Sequence, residues 1–380
     1  MGDIGELLER KAQLVRNALS HCGSQTVQAA EHLLAGERLN EDDGRALFAE
    51  PNLALLATMA SWVRIRKNGL QAYYNRNGHV EPTNRCIFRC AFCSFRKEHG
   101  QDGVWTLTLD EILQRAKALQ DEGCTEIHIT GGVHPDWTLS DLEHVVKSVR
   151  EVAPRLHVKA FSAIELLPFF TQAGVSIFAG LGRLQQAGLG SLPGGGAEIF
   201  AEDVRQRICP EKGSADDWLS IHRAAHKLGL CSNATMLFGH VESLADRVDH
   251  LLRLRALQDE TGGFNCFIPL KFRAAGNALG LRGEVTMAEV LRTFAVSRIL
   301  LDNIQHLKAY WPMLGKAHIP LALAFGADDL DGTIGNSTKI YSMAGAEEQK
   351  PSATVEELEQ IVRDAGFIPV ERDSLYHPLS

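Results

Sequence analysis

Asn84-Arg85-Cys86-Ile87-Phe88-Arg89-Cys90-Ala91-Phe92-Cys93 sets three cysteines within eight residues, in the spacing C-x3-C-x2-C. Thiolate is the preferred ligand of iron-sulfur iron, and a cubane cluster has four irons, so three protein sulfurs leave one iron open to something that is not protein. A structural zinc site needs a fourth donor, and no Cys or His follows in zinc-finger spacing, although His99 is within reach. The other cysteines, Cys22, Cys124, Cys209, Cys231 and Cys266, are scattered singly. They read as thiols of a reducing compartment and give no sign of a second cluster.

Just upstream, Tyr73-Tyr74-Asn75-Arg76-Asn77-Gly78-His79-Val80 sets an Asn-Gly pair between two extended pieces. This predicts a hairpin leading into a first core strand over 79–83, with the cysteine loop directly after it. Residues 1–70 have helical periodicity, as in Leu7, Leu8, Ala12, Val15 and Leu19, with Gly23 as a stop, and form a helical extension.

Downstream, capping-box patterns recur at Thr108 with Glu111, Ser140 with Glu143, and Thr286 with Glu289. Between the helices they open lie short apolar strands near 124–130, 156–161, 175–179, 189–192, 230–237, 264–270 and 306–311. With 79–83 there are eight. Strands alternating with helices are parallel and joined by right-handed crossovers, and eight close into a barrel. The expectation is an α/β fold: a (β/α)8 TIM-like barrel over 71–345, behind the 1–70 extension. A C-terminal segment over 346–380 follows, with a helix over Ser352–Ala365 and an extended piece at Phe367-Ile368-Pro369-Val370 that packs on the barrel or closes its base.

With 380 residues, 45% of them hydrophobic and 23% charged, the chain can bury one large core or two smaller ones. Its 47 acidic and 39 basic residues are mixed along the chain, giving a net charge of -8 with no basic stripe, which argues against a nucleic-acid partner. Met1-Gly2-Asp3-Ile4-Gly5-Glu6 lacks the order of a signal peptide and no apolar run is long enough to span a bilayer, so the expectation is a cytoplasmic protein with no membrane partner.

Such barrels carry their sites on the loops after the strands. Polar and glycine-rich clusters fall there: Thr130-Gly131-Gly132-Val133-His134-Pro135, Ser162 to Glu165, Pro193-Gly194-Gly195-Gly196-Ala197-Glu198, Phe238-Gly239-His240-Val241-Glu242, Pro269-Leu270-Lys271-Phe272-Arg273 and Tyr310-Trp311. Gly131-Gly132 can be a permissive turn or a ligand contact. Three successive glycines exceed ordinary loop needs, and close approach of backbone to a ligand explains Gly194, Gly195 and Gly196 better. Glu165, crowded by Leu166, Leu167 and Phe169, is a candidate ligand-binding carboxylate or a solvated helix-face residue. Arg205 suits a carboxylate through its planar fork, or is a surface arginine like Arg207. His134, His240 and His306 are candidate pocket residues; His128, within a strand, reads as a satisfied core histidine.

The cysteine spacing resembles the signature of the radical S-adenosylmethionine enzymes. That resemblance implies a 4Fe-4S cluster on Cys86, Cys90 and Cys93 whose open iron chelates S-adenosylmethionine. It places Phe92 as the aromatic before the third cysteine, Gly131 and Gly132 at the methionine ammonium, Glu165 at the ribose or methionine part, and Gly239 beside adenine. The family's Gly-Gly-Glu-Pro reads Gly131-Gly132-Val133-His134-Pro135 here, without the acidic position.

Four further stretches resemble the aminofutalosine synthase family: Ser191 to Phe200, Asn233 to His240, Leu257 to Phe264, and Gly326 to Thr333. The triple glycine argues against the related deazaflavin synthase subunits, and Asp328-Asp329-Leu330-Asp331-Gly332-Thr333 against the sibling futalosine cyclase. This resemblance implies a transferase that adds the deoxyadenosyl group to the vinyl carbon of 3-[(1-carboxyvinyl)oxy]benzoate, a small aromatic dicarboxylate, with a reductant such as flavodoxin or ferredoxin as electron donor. By loop position, Arg205, Lys271, Arg273 and Lys308 are candidate clamps for the substrate's carboxylates, with at least one on the benzoate, and Arg298 is more at home on a helix. One departure stands out. Relatives carry acidic residues after this Gly-Thr, where the chain reads Ile334-Gly335-Asn336-Ser337-Thr338-Lys339. Two rivals remain open: the cyclase, which abstracts hydrogen and closes a ring, and a non-enzymatic iron-sulfur carrier.

Overall fold

The computed structural model describes residues 4–335, 337–347 and 349–379, so Met1, Gly2, Asp3 and Asn336, on which two of the readings above bear, lie outside the described residues. Nine strands form one sheet: β1 (Gln71–Val80), β2 (Glu126–Ile129), β3 (His157–Ala160), β4 (Ser191–Leu192), β5 (Cys231–Phe238), β6 (Phe264–Lys271), β7 (His306–Leu307), β8 (Asp329–Ile334) and β9 (Ile368–Glu371). The order β7-β6-β5-β4-β3-β2-β1-β8 is parallel throughout. The ring closes between β7 and β8, where Asp328 N–H donates to Leu307 C=O at 2.9 Å and Ala309 N–H to Asp329 C=O at 2.7 Å. This is the expected eight-stranded barrel, with a ninth strand paired to the N-terminal half of β1.

One of the eight expected strands is absent and another takes its place. Residues 175–179 do not form a strand: Ser176 caps a helix over Ile177–Ala187, its side chain accepting from Ala179 N–H at 3.2 Å. The strand that replaces it is β8, whose Asp-Leu-Asp-Gly sequence reads as a polar turn. Its acids are buried because each meets a cation: Arg372 beside Asp329 at 2.5 Å, Lys308 beside Asp331, and, just before the strand, Arg298 beside Asp328, which also hydrogen-bonds the His306 ring. A buried carboxylate is tolerated only with such partners.

The expected hairpin is also absent. Asn77-Gly78 lies inside one continuous strand, β1. A side chain at Gly78 would run into Leu119 at 2.1 Å, so this glycine exists to let the helix Leu109–Asp121 pack directly on the strand. That helix opens with the anticipated Thr108–Glu111 capping box. In the next crossover the box is Thr138 with Asp141, two residues before the Ser140–Glu143 pair, and Thr286 caps Met287–Leu300 through Glu289 N–H.

Four N-terminal helices (Ile4–Ala18, Ser24–Ala35, Glu41–Ala49 and Leu53–Asn68) share one continuous apolar core with the barrel. Arg64, fully buried on the last of them, donates to the carbonyls of Ala327, Gly69 and Gln71 and so ties this layer to the barrel's lower end. The C-terminal helix Val355–Asp364 leads into β9, and Tyr376 beyond it stacks on His306 with ring centroids 4.1 Å apart. The tail therefore packs over the base, at the end opposite the strands' C-termini.

Candidate active site

At the strands' C-terminal end lies a cavity of about 320 Å3 whose wall is mainly apolar. The loop after β1 carries Cys86, Cys90 and Cys93, and all three line the cavity. The loop is fixed at several points. Asn84 accepts from Trp105 N–H and donates to Gly103 C=O, both at 2.9 Å. Ile87 N–H reaches Val133 C=O at 3.0 Å and Ala91 N–H reaches Ile208 C=O at 2.7 Å. Val133 N–H points at Cys86 Sγ at 3.4 Å. Among the described residues no three His, Cys, Asp or Glu groups converge as a single-ion site requires. Three cysteines on one loop lining the cavity suit an iron-sulfur cluster held by thiolates. Burial pushes the Cys90 thiol up to about 12, against the pull of Lys212, and coordination is what delivers a thiolate in such surroundings.

The second wall is the loop after β2. A side-chain carbon at Gly131 would lie 2.7 Å from Thr83 O, and one at Gly132 2.2 Å from Arg85 O. Both glycines let this loop lie against the cysteine loop. Glu165 is the N3 residue of the helix Ala163–Gln172 in a capping box with Ser162. Its carboxylate also accepts from Thr130 Oγ1 at 2.7 Å and Gly131 N–H at 3.0 Å. Burial raises its pKa and these hydrogen bonds pull it back. Glu165 thus borders the cavity while holding the glycine loop in place.

The loop after β4 supplies Gly194, Gly195 and Gly196 to the wall. Gly194 presses on the β5 backbone, with Asn233 O 2.7 Å from where a Cβ would be, and Gly196 has φ of 87° over Ile164. At Gly195 the nearest atom is 3.6 Å away, so only this glycine of the three leaves open room. Glu198 follows at φ 47° and pairs with Lys212 Nζ at 2.5 Å. Burial would lower the Lys212 pKa, but Glu198 and the Cys90 and Cys209 thiols outweigh it and hold the ammonium well above its usual value. Lys212 stands 5.5 Å over the Phe92 ring, beside the cysteines.

Lys271 and Arg273, at and after the end of β6, line the cavity and share a single carboxylate, Glu284, at 2.7 and 3.3 Å. Two cations against one anion leave a net positive pole. The other anticipated clamps do not reach the cavity. Arg205 is buried and donates to the carbonyls of Ala197, Ile199 and Gly213, fastening the glycine loop. Lys308 is buried lower in the barrel against Asp331, and Arg298 is committed to Gly326 C=O and Asp328. Gly239 and His240 sit behind the wall, with Glu242 accepting both their N–H groups and His240 Nε2 3.0 Å from Leu237 O. His134 is stacked on Trp137 beside Arg85, and His306 is paired with Asp328 at the base.

Sequence reasoning missed Lys212 and His79 as cavity residues, set Glu198 and Tyr310 on site-bearing loops without a role, and took His128 for core. Each lines the cavity. The one available signal is register: His79 on β1 and His128 on β2 are direct cross-strand partners near the strands' C-terminal ends. Ser337, in the stretch lacking the family's acids, accepts from His79 N–H at 2.7 Å.

A parallel eight-stranded barrel with three cysteines on the loop after its first strand defines a radical SAM enzyme, a class that uses a 4Fe-4S cluster and S-adenosylmethionine. Residues 80–254 match the radical SAM superfamily and residues 261–380 the CofH/MqnC C-terminal region. The chain is 42% identical to an aminodeoxyfutalosine synthase of Thermus thermophilus, over 92% of this chain and 95% of that one. It is 43% identical to that of Streptomyces coelicolor, over 91% and 92%. It is also 38% identical to a 5-amino-6-(D-ribitylamino)uracil–L-tyrosine 4-hydroxyphenyl transferase of Methanopyrus kandleri, over 89% and 93%. The chain belongs to the radical SAM family that contains these enzymes. Methylornithine synthase shares the fold at a TM-score of 0.71 and 18% identity, covering 89% of this chain and 96% of that one. So does the FeFe-hydrogenase maturase HydG from Carboxydothermus hydrogenoformans, at 0.72 and 19%, covering 98% and 85%.

Among the described residues no single helix is long and apolar enough to cross a membrane. One bent pair, Ala163–Gln172 with Ile177–Ala187, passes on length and composition, and it belongs to the barrel's helical layer.

Proposed function

We propose that this enzyme joins the 5'-deoxyadenosyl group of S-adenosylmethionine to the vinyl carbon of 3-[(1-carboxyvinyl)oxy]benzoate, with aryl migration and decarboxylation, yielding 6-amino-6-deoxyfutalosine for menaquinone biosynthesis. The observation that carries this reading is the identity of 42–43% to two aminodeoxyfutalosine synthases along nearly the whole chain. The cavity's chemistry supports it: an apolar chamber with a net positive pole suits a flat aromatic acid.

When bound, the reduced cluster supplies the electron that cleaves S-adenosylmethionine to methionine and a 5'-deoxyadenosyl radical. Cys86, Cys90 and Cys93 hold the cluster. Phe92, Gly131, Gly132, Glu165 and the Gly194–Gly196 loop shape the S-adenosylmethionine seat, and Gly195 is the point of closest backbone approach. Lys271 and Arg273 take the enol-ether carboxylate of the substrate and orient its alkene. The surrounding apolar wall keeps water from the reacting carbon. A small redox protein such as flavodoxin or ferredoxin supplies the electron, and the cytoplasm is the compartment that keeps the thiols reduced.

The test is anaerobic reconstitution with iron, sulfide, S-adenosylmethionine, dithionite and the vinyloxybenzoate, followed by mass spectrometry. The expected product carries the adenosine covalently, without stoichiometric 5'-deoxyadenosine, and Lys271→Ala and Arg273→Ala each raise the KM for the benzoate tenfold or more. Formation of 5'-deoxyadenosine with ring closure of dehypoxanthine futalosine, or transfer from tyrosine to the ribitylaminouracil, would replace this reading with a sibling activity.

A further inference from the structure

The cavity floor holds hydrogen-bonding groups that the protein itself does not use. Among buried side-chain nitrogens and oxygens without a protein partner, those on cavity-lining residues include His79 Nε2, His128 Nε2 and Asn233 Oδ1. His79 is only 4% exposed and meets His128 edge to face, with centroids 4.6 Å apart. As register partners on β1 and β2 their rings stand on the same face of the sheet, inside the barrel.

The charged groups beside and below them are already balanced. Lys159 pairs with Glu126 at 2.5 Å, Lys308 with Asp331, and Arg372 with Asp329. Burial, joined for His128 by the His79 ring and Lys159, keeps both imidazoles neutral. The histidines are therefore not counter-ions to the barrel interior. They form the first layer above it with hydrogen-bonding capacity unspent, and buried polar atoms are rarely left so without a ligand or water to meet them.

Position supplies the rest. In a ring of eight, β2 and β6 stand opposite each other, so the histidine pair faces the Lys271–Arg273 pole across the cavity. The histidines lie on the strands, whereas Lys271 and Arg273 lie at and beyond the end of theirs, nearer the mouth. Apolar residues such as Ile268 and Leu270 line the wall between. A rigid aromatic dicarboxylate needs two separated poles joined by an apolar slot.

We propose that His79 and His128 form the subsite for the ring carboxylate of the substrate at the cavity floor, their ring N–H groups donating to its oxygens. This assignment rests on the dicarboxylate reading above and gives the benzoate to the histidines, leaving Lys271 and Arg273 for the carboxylate near the reacting alkene. Neutral donors suit the deeper position because they bind an anion there without needing a counter-charge when the site is empty.

The experiment uses binding, so it stands apart from turnover. 3-Hydroxybenzoate and 3-hydroxybenzamide are titrated calorimetrically into the reconstituted holoenzyme with S-adenosylmethionine present. The wild type is expected to bind the benzoate at least tenfold more tightly than the amide. His79→Phe and His128→Phe each abolish that preference while the cluster's paramagnetic resonance signal and S-adenosylmethionine affinity stay as in the wild type, and His79→Gln, which keeps a donor, retains part of it. A wild type without the preference, or variants that keep it in full, would overturn the assignment. If the preference behaves as expected but the vinyloxybenzoate is not turned over, the histidine subsite stands and the proposed reaction falls.

Discussion

The carboxylate of Glu165 accepts the backbone N–H of Gly131 at 3.0 Å, so a helix N-terminus after β3 sets the position of the glycine loop after β2. Ser162 N–H at 2.7 Å and Thr130 Oγ1 at 2.7 Å share the same carboxylate. Glu165→Gln turns an amide NH2 toward one of these donors, and an unmet buried donor costs about 1–3 kcal/mol. Denaturant unfolding should show a loss of that size, and calorimetry should show S-adenosylmethionine binding weakened by about tenfold as the loop shifts.

Gly132 and Gly195 both line the cavity but serve different ends. Gly132→Ala drives a methyl into Arg85 O, 2.2 Å away, and should displace the cysteine loop, lowering the iron content of reconstituted protein and destabilising it by about 2 kcal/mol or more. Gly195→Ala meets nothing nearer than 3.6 Å, so stability should change by less than about 1 kcal/mol. The methyl then projects where the cofactor seat is proposed, and the S-adenosylmethionine affinity should fall with iron content unchanged. Iron assay and calorimetry on the same two variants separate the effects.

Arg205 is a fastener of the loop after β4 through three carbonyls. Lysine cannot reproduce a planar fork spanning several acceptors. Arg205→Lys should lower stability by about 2–4 kcal/mol, at about 1.5–3 kcal/mol per charged hydrogen bond lost. Its kinetic effect should fall on the KM for S-adenosylmethionine and spare the KM for the benzoate, the reverse of what a substrate clamp would give.

Asp331 is buried, which alone would raise its pKa, yet Lys308 beside it brings the value from 3.8 down to about 2. A depressed acid stabilises the fold above its unfolded pKa and loses that contribution as pH falls through the folded value. Wild-type stability should therefore decline between pH 3.8 and 2 by about 2 kcal/mol from this group, at 1.36 kcal/mol per unit. The gap in unfolding free energy between wild type and Asp331→Asn should be largest near neutral pH and narrow across that window. A gap independent of pH would mean that Lys308 is neutralised by Asp329 instead.

The cysteine spacing, the alternation of capped helices with apolar strands and the glycine loops are local patterns, and they were enough to read the barrel, the cluster loop and most of the rim that Gly131, Gly132, Gly194 and Lys271 define. Residues whose role depends on a distant partner were not legible. β8 reads as a turn until Arg298, Lys308 and Arg372 arrive from elsewhere in the chain to neutralise its acids. Asn77-Gly78 reads as a hairpin until Leu119 is seen to occupy the space a side chain would need. Arg205 and Lys308 have the chemistry of anion clamps, but only the folded chain shows their charge already spent on carbonyls and aspartates. His79 and His128 are 49 positions apart, and only the β1–β2 register brings their rings together at the cavity floor. Sequence by itself set the alternation of helices with strands and the three-cysteine spacing, because those follow from neighbours along the chain. Tertiary structure decided which polar groups remain free to meet a ligand, because that depends on every partner the fold brings within hydrogen-bonding reach.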